Sequence, residues 1–415
     1  LHLDLIRLFI TASKMGKYTG HIKNGLFLLV LVALFLPMLQ SKFKIFNLEP
    51  LKGAVQATED PYISKERWLS GEYQRLQEQY VKDSFGLREP FVRLYNQLNF
   101  SMYNQTSAAG IVIGKEGYLY EESYIRAYLG LDFIGEDSIR KQVGRLRIIT
   151  DSLKQKGVEV VVLLAPGKGS FYPEFFPESY DGIKRGQTNF ETYKKYLAKA
   201  EINVFDAHTW FGAMKSDVHQ KNKLYSKTGI HWSKYGEYLV ADSLLAYMSQ
   251  ATGRSFPGIR LDRIEYDSRL RDTDNDIWKG MNLIRPLNDF EMTYPVFHRT
   301  GAERNTTRVV TIADSYFWGL YWMGLPKDYF ANGEFWYYME QRYPQSFTTP
   351  SPVNKENVEQ EIGQNKRCRH IKKQQSNCLS RLCVDDWLGA GSQAHHFCGV
   401  TCHSLREYLS IQYCS

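Results

Sequence analysis

Three short stretches hold residue types able to do group-transfer chemistry. In Ala313-Asp314-Ser315-Tyr316 a serine follows the β-branched run Arg308–Ile312, which reads as a buried strand. A serine at a strand-to-helix turn exposes its hydroxyl, and its own N–H can help bind an oxyanion. Serine is a poor nucleophile until a base takes its proton. The stretch Thr228-Gly229-Ile230-His231-Trp232-Ser233 offers a lone histidine for that role, just ahead of a helix. The third, Pro166-Gly167-Lys168-Gly169, sets a lysine directly after the strongest strand of the chain. A Ser315/His231 pair would do acyl transfer, but spacing alone does not bring the two together. Each stretch also has a plain structural reading: Asp-Ser as a helix cap, a histidine packed beside tryptophan, a surface lysine.

The elements that must position these residues follow from periodicity. Ile139, Val143, Leu146, Ile149 and Leu153 mark one face of a helix, Gly157 is its cap, and Val158–Leu164 is a continuous apolar strand. Phe190, Tyr193 and Leu197 mark a second helix before the short strand Ile202–Phe205. Val240, Leu244 and Tyr247 mark a third, ending near Gly253. Ile111–Tyr120 reads as a hairpin around Gly114-Lys115-Glu116-Gly117, and Pro61–Tyr80 as a helix on Leu69, Tyr73, Leu76 and Tyr80. Helices alternating with buried strands argue for an α/β fold with a mainly parallel sheet.

Ahead of these elements, Gly25–Leu39 is an unbroken apolar run flanked by Lys14, Lys17 and Lys23 and, beyond it, by Lys42 and Lys44. With its edges it reaches a membrane-spanning length, and no small-residue cleavage site follows. The reading is one uncleaved transmembrane helix over 25–44. Residues 1–24 are then cytoplasmic and the bulk of the chain extracytoplasmic, in the periplasm. The chain opens on Leu1, and Met15 is the candidate natural start. The net charge of +7 is confined to the ends: residues 1–44 hold six Lys/Arg against one Asp, and residues 345–415 hold eight against six acids. The neutral middle speaks against a nucleic-acid partner. All six cysteines lie from Cys368 onward, in an irregular tail spanning 346–415. Cys398-x3-Cys402 with His395, His396 and His403 can be drawn as a zinc site, yet the nearest second pair, Cys378-x4-Cys383, misses the usual spacing. No metal is expected; translation out of frame from near Lys366 fits the abrupt change better.

The ordered set Trp68-x-Ser70-Gly71-Glu72-Tyr73, Asp83-x-Phe85-Gly86-x-Arg88, Val112-Ile113-Gly114-Lys115-Glu116-Gly117-Tyr118-Leu119-Tyr120, Ala165-Pro166-x-Lys168, His231-Trp232-Ser233 and Ala313-Asp314-Ser315 resembles the SGNH-hydrolase-like family of the alginate O-acetyltransferases AlgJ and AlgX. The resemblance covers residues 60–345. It implies a three-layer α/β/α SGNH-type domain, and an extracytoplasmic O-acetyltransferase that modifies an exopolysaccharide without a cofactor. On that resemblance Ser315 carries the acetyl group and His231 is the base. Lys168, Trp232 and Tyr316 are candidate substrate contacts, and a membrane partner delivers the acyl group. One departure stands out. The family motif is D-x-H-W, and Gly229 occupies the place of the orienting Asp. Asp206 and Asp314 are the candidate replacements; a backbone carbonyl is another. The rival readings are a polysaccharide acetylesterase and an inactive polysaccharide-binding or scaffold relative. The run Asp272-Thr273-Asp274-Asn275-Asp276 lacks the glycine and distal glutamate of a calcium loop and reads as a loop or helix cap.

Overall fold

In the computed structural model, which describes residues 2–53, 58–215, 221–301, 307–344, 349–353 and 410–414, the chain divides into two units. One comprises residues 1–107 with 279–285, the other residues 108–278 with 286–415. Residues 60–107, which the motif order joins to the catalytic region, thus lie with the N-terminal helix. The residues that can be drawn as a zinc site, where no metal is expected, and the frame change near Lys366 fall outside the described residues.

The first unit begins with α1 (His2–Phe43), whose stretch His21–Phe43 has a mean hydropathy of 2.2 and is long and apolar enough to cross a membrane. The helix expected over 61–80 is interrupted. α2 (Lys65–Leu69), capped by the Ser64 hydroxyl, stops at Ser70, and α3 (Glu72–Ser84) restarts after Gly71, whose φ of +77° favours glycine. α4 (Arg88–Tyr103) follows after a sharp corner at Gly86.

The second unit opens with the hairpin β1 (Ile111–Ile113) and β2 (Leu119–Glu121), paired antiparallel as the sequence suggests. After α5 (Glu122–Leu129) comes α6 (Glu136–Lys154), on which Ile139, Val143, Leu146, Ile149 and Leu153 are all buried. That stripe packs on β3 (Glu159–Leu164) beside α8 (Asn189–Lys199), with the four-residue helix α7 (Lys168–Phe171) between them in sequence. Val160, Val162 and Leu164 share this core with Tyr193 and Leu197, while Val161 and Leu163, also buried, lie on the opposite side of the strand. A strand buried on both faces needs the unbroken apolar run that β3 has. β4 (Asn203–Asp206) pairs parallel with β3, and α9 (Ala207–Met214) and α10 (Lys234–Thr252) follow.

Beyond α10 the structure departs from expectation. β5 (Gly258–Asp267) and β6 (Met292–Thr300) form a separate antiparallel ribbon, with the short α11 (Asp276–Met281) in the connection. The charged text of β5 hides the ribbon from a search for apolar runs. β7 (Val309–Ala313) leads into α12 (Phe317–Trp322), followed by β8 (Glu334–Tyr337), β9 (Gln341–Pro344) and β10 (Ser351–Pro352). β11 (Ser410–Cys414) completes the sheet, in the order β10-β9-β8-β7-β11-β3-β4. β3/β4 and β7/β8 are parallel, whereas β9, β10 and β11 run antiparallel to their neighbours. The sheet is therefore mixed rather than mainly parallel, because β11 enters between β3 and β7 and the chain doubles back after β8.

Candidate active site

Ser315 stands in the turn between β7 and α12. Trp318 N–H donates to Ser315 O at 3.1 Å, and Tyr316 N–H to the Asp314 carboxylate at 2.9 Å, so the turn is closed around the serine. The Ser315 hydroxyl lies 3.0 Å from His231 Nε2, and His231 Nδ1 lies 2.5 Å from Asp276 Oδ2. With the imidazole proton on Nδ1, Ser315 donates to Nε2 and Nδ1 donates to the carboxylate. Asp276 is itself held: its Oδ1 accepts from Ile230 N–H at 2.8 Å and from Ile277 N–H at 2.7 Å.

The loop ahead of His231 has no regular secondary structure, so every buried backbone group in it needs another partner. The N–H groups all donate to side-chain oxygens: Lys227 and Thr228 to Asp289 (both 2.9 Å), Gly229 to Ser226 Oγ (2.9 Å), Ile230 to Asp276. The carbonyls are equally accounted for. Lys227 O and Gly229 O accept from Lys168 Nζ at 2.6 and 2.7 Å, Thr228 O from Trp278 N–H at 3.2 Å, and Ile230 O from the Tyr316 hydroxyl at 3.0 Å. The last bond ties the histidine loop directly to the serine turn. Gly229 is tightly enclosed: a Cβ there would stand 2.5 Å from Thr273 O and 2.8 Å from Asp274 O. The segment that brings in Asp276 occupies the room a side chain at 229 would need.

Burial pulls the His231 pKa down, but the charge and hydrogen bond of Asp276, together with the charges of Asp314 and Glu121, outweigh it and leave it raised. Burial pushes Asp314 up to about 7 and also raises Glu121. A base must be neutral, so activity is expected to rise with pH through a midpoint above 6.5, the ordinary imidazole value. A kcat/KM profile of the wild-type chain checks this; a limb centred below that value would contradict the carboxylate-rich setting.

Several sequence candidates find other roles. Lys168 is fully buried, and its three donors are used on the carbonyls of Leu119 (2.8 Å), Lys227 and Gly229. It is not available to a sugar carboxylate or phosphate; it fastens β2 and the histidine loop. Burial brings it down to about 7, against the opposing charges of Asp289 and Asp276. Trp232 and Tyr316 are likewise buried, packing against each other at 5.1 Å, so they frame the imidazole rather than face a substrate. Asp206 caps α9 through Thr209 N–H at 2.8 Å and pairs with Lys194 at 2.7 Å, and does not orient His231. Asp314 closes the serine turn instead of bonding the imidazole. Sequence reasoning missed Asp276. Its signal was present in the acid-rich run, but nothing in that run separates it from Asp272 or Asp274. Further out, Trp318 and Trp322 lie three and seven positions beyond Ser315. Their rings are stacked 6.0 Å apart, and Trp322 is 71% exposed.

A hydroxyl, an imidazole and a carboxylate in one hydrogen-bonded line have the geometry of a serine–histidine–aspartate triad. Part of the chain is similar to known proteins. Residues 111–262 match the family model described as the SGNH hydrolase-like domain of acetyltransferase AlgX, a stretch that includes His231 and stops short of Asp276 and Ser315. The probable alginate O-acetylase AlgJ of Pseudomonas syringae pv. tomato is 24% identical over 185 residues, 44% of either chain. The chain thus spans less than half the length of this curated relative. Among solved structures, the O-acetyltransferase domain of Pseudomonas putida AlgJ aligns with a TM-score of 0.35 at 15% identity, over 53% of this chain and 76% of that one. Pseudomonas aeruginosa AlgX aligns with a TM-score of 0.35 at 17% identity, over 54% of each. The resemblance read from the motifs is present in these comparisons, and the match to an SGNH hydrolase-like domain model covers residues 111–262.

Proposed function

We propose that this chain is a membrane-anchored, extracytoplasmic O-acyltransferase that places acetyl groups on hydroxyls of an exopolysaccharide. The observation that carries the reading is the Ser315–His231–Asp276 line. Ser315 Oγ attacks the acyl carbonyl while His231 Nε2 takes its proton, and Asp276 steadies the imidazolium. The Ser315 N–H, at the opening of α12, helps hold the oxyanion. The intermediate collapses to acyl-Ser315, and His231 returns the proton to the leaving group. A sugar hydroxyl then gives its proton to His231 and attacks the acyl carbon; as the bond to Ser315 Oγ breaks, His231 hands that proton to Oγ and the serine is regenerated. The acetyl group and the polysaccharide acceptor are taken from what the AlgJ relatives are named for. The stacked indoles of Trp318 and Trp322 offer a sugar-binding face beyond the nucleophile. α1 supports the anchor, and a membrane partner would supply the acyl group. The three-layer α/β/α arrangement belongs to this reading. The inactive-relative reading rested on Gly229, and the carboxylate of Asp276 beside His231 favours the active reading over it.

A sulfonyl fluoride tests it. The full chain is expected to gain one adduct on Ser315, and Ser315→Ala none, by intact mass and peptide mapping. With an activated acetyl ester and an oligosaccharide, product on the sugar indicates transfer, whereas free acetate alone indicates an esterase. A folded chain that takes no adduct would overturn the nucleophile.

A further inference from the structure

Within the first unit, α3 and α4 treat their two faces in opposite ways. α3 is closer to the ordinary pattern: Glu72, Gln74, Arg75, Glu78, Gln79 and Lys82 are exposed and Tyr73, Leu76 and Tyr80 are half-buried, with Val81 as its one exposed large apolar side chain. α4 is inverted. Phe91, Leu94, Tyr95, Leu98 and Met102, at helical spacing, are all exposed, with Leu98 at 49%. Its polar side chains face the protein instead. Arg93 donates to Glu49 O and Pro50 O (both 3.1 Å), Asn96 to Met281 O (2.8 Å), and Gln97 Oε1 accepts from Ile284 and Arg285 N–H (3.1 and 2.9 Å). A helix fixed by its polar face, presenting its apolar stripe outward, is built for an apolar environment.

The same unit says which environment. The corner before α4 is latched to the end of the membrane-crossing stretch. Gly86 approaches α1 so closely that a Cβ would lie 2.2 Å from Pro37 O and 2.3 Å from Ser41 N. Ser41 Oγ donates to Ser84 O at 3.1 Å. Positions 37–41 are in the last turns of His21–Phe43, at the depth where a bilayer core gives way to headgroups. α4 therefore leaves from the membrane boundary and runs for about 24 Å. We infer that α4 lies on the bilayer surface, with its Phe91–Met102 stripe sunk into the headgroup–acyl boundary of the leaflet from which α1 emerges. The inference rests on α1 being a membrane span, and it deepens the anchored-enzyme reading. The partner is the lipid surface, and α4 makes a second contact with it.

The test places a photoreactive benzoylphenylalanine singly at Leu98, at Gln79 on the outward face of α3, or at Val32 within α1, in the full chain reconstituted in phosphatidylethanolamine–phosphatidylglycerol vesicles. Lipid adducts are expected at Val32 and Leu98, with the Leu98 yield exceeding that of Gln79 by on the order of tenfold. Lipid adducts at Val32 but none at Leu98 would overturn the placement of α4 and leave the anchor standing. No lipid adduct at either would overturn both. Adducts from Leu98 to protein instead of lipid would also overturn it, because another surface would then cover the stripe.

Discussion

Asp276→Asn is expected to lower kcat by about 10⁴ while leaving the fold intact. The two carboxylate oxygens do different work. Oδ1 accepts the N–H groups of Ile230 and Ile277, so in the amide variant the oxygen is held there and the NH2 group turns toward His231 Nδ1. Nδ1 must then accept, which moves the imidazole proton to Nε2, the atom that has to receive the proton of Ser315. A base in the wrong tautomer cannot act. The variant is further expected to shift the acid limb of the pH profile downward, because Asp276 supplies the main charge and the hydrogen bond that oppose the effect of burial on His231. Rate and pH dependence measured on the same preparation, with thermal unfolding as the fold control, check both. A loss of less than about tenfold would remove Asp276 from the site.

Restoring the family residue should do harm. Gly229→Asp recreates the D-x-H-W pattern, yet its Cβ would enter space held by Thr273 O, Asp274 O and, at 2.7 Å, Ser226 Oγ. Two of these atoms are backbone and cannot swing aside, so the 272–276 segment has to move and takes Asp276 with it. Overpacking of this kind costs about 1–3 kcal/mol before any charge is counted. The new carboxylate would also join a crowded acidic neighbourhood, where burial already pushes Asp274 up to about 8. The expected outcome is a lower Tm and a loss in kcat/KM of on the order of a hundredfold or more. Gly229→Ala separates bulk from charge and should reproduce most of the Tm loss. Undiminished activity in Gly229→Asp would mean that the two acid positions are interchangeable, contrary to the packing.

Legibility in the sequence tracked burial periodicity. The stripe from Ile139 to Leu153, the run into Leu164 and the cap at Gly157 could be read directly, because a helix on a sheet must repeat its apolar face and a doubly covered strand must be apolar throughout. Ser315 and His231 stood out because each falls at an element boundary that the periodicity marks, one after a strand and one ahead of a helix. What escaped was set by tertiary distance. Asp276 is chosen from three acids in one short run by where the β5–β6 connection folds back. Lys168 looked like a surface cation because lysine is rarely buried, and only the fold places three carbonyls around its ammonium. β5 escaped because its charged side chains hide a ribbon strand, and β11 because its antiparallel entry depends on partners far away in sequence.

The histidine loop has a consequence for the temperature dependence of the reaction. Ordering a backbone residue costs about 1–2 kcal/mol of conformational entropy, and residues 227–230 would ordinarily be free to spend part of their time disordered. Here each of their N–H and C=O groups is bound, mostly to side chains from distant segments. That entropy is lost when the protein folds, not when it turns over. The imidazole is already aimed when substrate arrives, so the activation entropy of the chemical step should contain little contribution from this loop.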